Sequence, residues 1–65
     1  MNTELKECIE QLKTSLLNDC TILRKILVLS YKEDKHELID ETNKLIDAFE
    51  ESIKDLEEIN KNDRK

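Results

Sequence analysis

The stretch Lys32-Glu33-Asp34-Lys35-His36-Glu37 decides the fold. Six consecutive charged or titratable residues interrupt a chain otherwise striped with Leu and Ile at helical spacing. Neither Gly nor Pro occurs in the 65 residues, so nothing else punctuates the sequence. The break predicts a turn at about 32–35 between two helices that fold back on each other, an all-α antiparallel hairpin. One unbroken helix is the rival reading, because none of the six residues forbids helix. The hairpin is favoured because a capping signal falls at the same place as the gap in the stripes.

That signal is Asp34 followed by Glu37, the spacing of a capping box with Asp in place of Ser or Thr. The second helix is therefore expected over about 35–60, with Asp34 at its start. Its sequence shows three rows at heptad spacing. Thr42, Phe49 and Leu56 form one, Leu38, Leu45, Ser52 and Ile59 the second, and Ile39, Ile46 and Ile53 the third. Three rows in seven make the wide face of a bundle helix, broader than the seam of a two-stranded coiled coil. The last residues, 61–65, are mostly basic and are expected to fray.

The first helix is expected over about 3–31, opened by Asn2 or Thr3, with Glu4 and Glu7 in its first turns. Its main stripe is Leu5, Ile9, Leu12, Leu16, Cys20, Leu23, Leu27 and Tyr31. Leu5, Leu16 and Leu27 recur every eleven residues, as do Ile9, Cys20 and Tyr31, a period that keeps a helix nearly straight. Residues 26–31 also have strand propensity, but the chain holds no second strand candidate to pair with them. The expected core is Leu16, Leu23 and Leu27 against Leu38, Leu45, Phe49 and Leu56.

A second apolar patch lies outside the main stripe of the first helix. Ile22, Ile26 and Leu29 follow i, i+4, i+7 spacing roughly 90–150° from the stripe's centre, and Val28 sits on its other flank. One partner helix cannot cover both faces. These four residues are the expected contact surface, either for a second copy that completes a four-helix bundle or for a foreign helix.

Composition points the same way. A 65-residue chain forms one small domain, and a core of this size rarely supplies more than about 3–5 kcal/mol without staples or partners. Charged residues make up 42% of the chain, and only Tyr31 and Phe49 are aromatic, so the core must be aliphatic. The net charge is −5. Most of the excess lies in residues 37–60, where nine acids face only Lys44 and Lys54. That field repels nucleic acid and anionic lipid and attracts basic partners. The longest apolar run, Ile26 to Leu29, is far too short to span a membrane. The N-terminal residues mix Glu and Lys through the apolar positions, unlike a signal peptide. A cytoplasmic location is expected, with both cysteines as free thiols.

The reactive residue types do not assemble into a catalytic pattern. Cys8 and Cys20 stand twelve residues apart on one helix, about 18 Å by helical rise, too far for a disulfide. Two distant cysteines and the single His36 do not match zinc-ligand spacing. The pairs Glu50–Glu51 and Glu57–Glu58 face away from the stripes and read as a solvated face, not as the desolvated cleft that acid–base chemistry needs. The expectation is a binding protein with no catalytic residue, no metal and no cofactor. It would act as an adaptor, inhibitor or export-type chaperone through an apolar helix face, as a homodimer with a protein partner.

Lys6, Lys13, Arg24, Lys25, Lys32 and Lys35 place most of the basic charge on the first helix and the turn. In size and outline the chain resembles the small plasmid-copy regulators, acidic dimers of helical hairpins that bind RNA loops, though no shared motif carries residues across. This resemblance implies the alternative of RNA binding by the basic side of helix 1. A second alternative is a nucleic-acid-mimicking inhibitor using the acids of helix 2. The hairpin phosphatases of the sporulation relay are of similar size. Their Ser-Gln-x-x-x-Asp signature is absent, since this chain reads Lys35-His36-Glu37-Leu38-Ile39-Asp40.

Overall fold

The computed structural model describes residues 2–62. Two helices, α1 (Thr3–Lys32) and α2 (His36–Asn62), pack against each other as an antiparallel hairpin. Asn2 opens α1 in extended backbone geometry, and its Oδ1 accepts the Leu5 N–H at 2.7 Å. That bond satisfies one of the amide donors that every helix start leaves without an intrahelical partner. Lys61 and Asn62, expected to fray, belong to α2; the rest of that expected tail, residues 63–65, lies outside the described residues.

The turn is built from the C-terminus of α1. Asp34 adopts φ 54°, in the left-handed region. Its N–H donates to the Tyr31 carbonyl at 3.3 Å, and the Lys35 N–H donates to the Ser30 carbonyl at 3.0 Å. These paired bonds form a Schellman motif, with Asp where Gly is commonest. Asp34 therefore closes α1 and does not cap α2, contrary to the capping-box expectation. The Lys35 carbonyl accepts the first helical bond of α2, from Ile39 at 2.9 Å. Asp suits the left-handed position because its short polar side chain tolerates it better than most residues do.

The seam between the helices follows a strict alternation of three and four residues. On α1 it runs through Ile9, Lys13, Leu16, Cys20, Leu23, Leu27 and Ser30. On α2 it runs through Ile39, Thr42, Ile46, Phe49, Ile53, Leu56 and Asn60. Every one of these residues is buried or half-buried. Cys20, Ser30 and Thr42 are the most enclosed, at 2% exposure each. Ser30 returns its hydroxyl to the Ile26 carbonyl at 2.6 Å, which satisfies a buried polar group.

Two expectations change here. Leu38 and Leu45, read as core, are 47% and 45% exposed, while Ile39, Ile46 and Ile53 are buried at 8%. α1 offers one narrow seam, so only two of the three rows on α2 reach it. The eleven-residue stripe of α1 also gives way to the 3.5-residue period that a heptad partner requires. Leu5, Leu12 and Tyr31 fall outside the seam and are exposed, and Lys13 and Ser30 enter it. Leu16, Leu23, Leu27, Phe49 and Leu56 lie in the seam, half-buried.

The result is a slab one helix thick. Its extents are 49 × 15 × 11 Å and its radius of gyration is 15.0 Å. A compact chain of this length has a radius near 11 Å. The accessible surface is 5245 Å², against about 4,300 Å² for a compact monomer of this mass.

Candidate interaction face

The seam divides the remaining surface of the hairpin into two broad faces. In an antiparallel pair, the residues just before each first seam position lie together on one face. Those just after each second seam position lie together on the other. Arg24 and Glu50 mark the second face, where Nη2 and Oε2 meet at 2.7 Å. Ile26, Leu29 and Leu38 mark the first, lining one shallow hollow beside the turn.

The first face is apolar along most of its length. From α1 it receives the row Leu5, Leu12 and Ile26, with Ile22 and Leu29 beside it. From α2 it receives Leu38, Leu45 and Ile59. All but Ile26 are at least 45% exposed. The rows are interrupted only by Asp19 and Ser52. From Leu5 to Leu29 the face extends roughly 36 Å at 1.5 Å per residue. Large side chains exposed singly are ordinary on protein surfaces, but a continuous face of them marks an interaction site.

Of the four residues expected as a contact surface, Ile22, Ile26 and Leu29 belong to this face. Val28 does not. It lies on the opposite side of α1, with Leu17 and Tyr31, and is 55% exposed. Leu38 and Leu45 also lie on this face although they read as core, and Ile59 joins them as the last member of their heptad row. The signal was available: α2 carries three apolar rows, and a two-helix seam holds only two.

The opposite face is polar at the end away from the turn. Asn60 donates from Nδ2 to the Glu10 Oε1 at 2.8 Å, and Lys13 Nζ approaches the same oxygen at 3.6 Å. The basic residues of α1 do not gather on one surface. Lys6 and Lys13 line a hollow at the end away from the turn with Lys54 and Lys61, interleaved with Glu10, Glu57 and Glu58, while Arg24 is engaged with Glu50 and Lys25 and Lys32 point away from α2.

Cys20 is buried in the seam and Cys8 is exposed, both as free thiols. Among the described residues no group of three or more His, Cys, Asp or Glu side chains is placed to hold a metal ion. No helix among them is long and apolar enough to cross a membrane. Comparison with known families, curated proteins and solved structures returns no match for this chain.

Proposed function

We propose that the chain is a small acidic protein-interaction module that works as a four-helix bundle of two hairpins, not as an enzyme. The observation that supports this reading is the apolar face shared by both helices. A domain is normally two packed layers around one core, and this hairpin is a single layer. A second copy laid on the face supplies the missing layer at matching length, because a two-fold interface joins a surface to itself. The surplus surface, about 900 Å² above the compact trend, is close to the roughly 800 Å² each partner contributes to a standard interface. The bundle then presents its outer helix surfaces to other proteins, as an adaptor, inhibitor or export-type chaperone does.

Sedimentation equilibrium at micromolar concentration, on the natural chain and on Ile26→Asp, tests this. The natural chain is expected at twice its monomer mass, and the variant at monomer mass with a lower melting temperature. A stable folded monomer of the natural chain would overturn the proposal.

A further inference from the structure

The dimer proposed above leaves the Arg24–Glu50 face outside, and that face is not uniformly polar. Along the α1 edge, Leu17, Val28 and Tyr31 are exposed at 54%, 55% and 59%. Thr21 lies between them, and its hydroxyl is tied back to the Leu17 carbonyl at 3.2 Å, which leaves its methyl group outward. Leu17, Thr21, Arg24, Val28 and Tyr31 follow i, i+4, i+7, i+11, i+14 spacing, one strip along a helix whose single charge, Arg24, is paired with Glu50. Across the seam, the α2 edge of the same face carries Asp40 and Asp47 opposite the strip, with Glu50 already paired to Arg24 and Lys54 one heptad beyond Asp47.

We infer that this face docks an amphipathic helix of another protein, one with Lys or Arg residues flanking an apolar strip. The apolar edge on α1 and the acidic edge on α2 run side by side, which a basic amphipathic helix complements on both sides at once. An acidic helix would meet repulsion from Asp40 and Asp47. Nucleic acid would meet the same repulsion and has no use for the aliphatic strip. Leu17 to Tyr31 spans about 21 Å, so the docked segment needs roughly four turns. The inference rests on the proposed dimer only in that the dimer covers the other, larger apolar face.

The test uses the full chain at a concentration where its mass is known. Three synthetic peptides of about 20 residues serve as probes: one with a Leu strip flanked by Lys, one with Glu replacing Lys, and one with Gln replacing Leu. Fluorescence anisotropy reads affinity, and NMR shifts read the footprint. The first peptide is expected to bind, with shifts at Val28 and Tyr31. Either control should lose at least about tenfold in affinity. Val28→Glu and Leu17→Gln should each cause a similar loss while mass and helicity stay unchanged. The inference is overturned if the first peptide does not bind. It is also overturned if the Gln peptide binds as well, or if the shifts fall on Leu38 and Leu45. A monomeric mass with a Val28 footprint would sink the dimer and keep this site; a dimeric mass without the footprint would do the reverse.

Discussion

Arg24 reaches across the seam to Glu50, with Nη2 and Oε2 2.7 Å apart, and both side chains are about half exposed. The pair joins the two helices on the outer side of the seam. Solvent screens it, so its net contribution is small, about 0–1 kcal/mol for exposed pairs. A double-mutant cycle of Arg24→Ala and Glu50→Gln should return a coupling within that range. The coupling should shrink in high salt. A coupling several times larger would show that the pair is far more shielded than its exposure indicates.

Leu45 and Ile46 are neighbours with opposite surroundings, 45% and 8% exposed. Ile46→Ala removes a buried side chain, which typically costs about 2–5 kcal/mol and should unfold most of the protein at any concentration. Leu45→Ala should instead give a melting temperature that falls as the protein is diluted, since it weakens association. Thermal melts over a hundredfold concentration range separate the two. Equal, concentration-independent losses would mean that Leu45 is core after all.

Asp34 holds a left-handed conformation that costs most L-residues about 1–2 kcal/mol. Asp34→Gly should therefore raise stability by up to about 1 kcal/mol, and Asp34→Val should lower it by a similar amount or more. Denaturant titrations of both variants check the sign. If the order is reversed, the turn does not close through Asp34.

Lys35 stands at the N-cap position just before α2 and has no acceptor on its side chain. Its charge also lies at the positive end of the helix dipole. Lys35→Ser supplies the missing acceptor and should add about 0.5–2 kcal/mol. A melting temperature that fails to rise would indicate that α2 already has its cap from elsewhere.

The acids of α2 crowd one another. Asp47, Glu51 and Asp55 are spaced i, i+4, i+8 along one side, and like charges at that spacing destabilise a helix. The chain carries a net charge of −5. Raising salt to about 0.5 M, where the screening length drops to a few ångströms, should stabilise the protein despite weakening Arg24–Glu50. Circular dichroism melts in a salt series measure this directly, and a steady decline with salt would contradict it.

The two helices and the place of their turn were legible in the sequence, because six polar residues in a row cannot continue a stripe. The conformation of the turn was not. Asp34 fits either a cap or a left-handed closure, and only the path back to Ser30 and Tyr31 decides between them. The core of α2 was misread by one row. Leu38, Ile39 and Thr42 each begin a heptad row, and the choice among them depends on which side α1 approaches. On α1, Lys13 and Ser30 escaped notice because they are not apolar. The heptad of α2 asks its partner for the same period, but two sets on α1 supply it, Leu5-Ile9-Leu12-Leu16-Asp19-Leu23-Ile26-Ser30 and Ile9-Lys13-Leu16-Cys20-Leu23-Leu27-Ser30, and the side from which α2 approaches selects the second. Helical angle already sets Val28 on the other flank from Ile22, Ile26 and Leu29, and the seam between the helices separates that flank into a different face, so the four do not form one contact surface.

The two ends of the seam are built from different materials. Beside the turn it holds Ser30, Ile39 and Thr42, all buried. At the far end it holds Lys13 and Asn60, and the Asn60 Oδ1 is buried with no hydrogen-bond partner among the described residues. A hairpin made this way behaves like a zipper fastened at one end. Opening starts where Ile9 meets Asn60 and travels toward the turn, so amide exchange should be slowest around Leu27 and Ile39 and fastest near both termini. The turn end then keeps the two helices together while the far end opens and recloses, so partial opening need not pass through the unfolded chain.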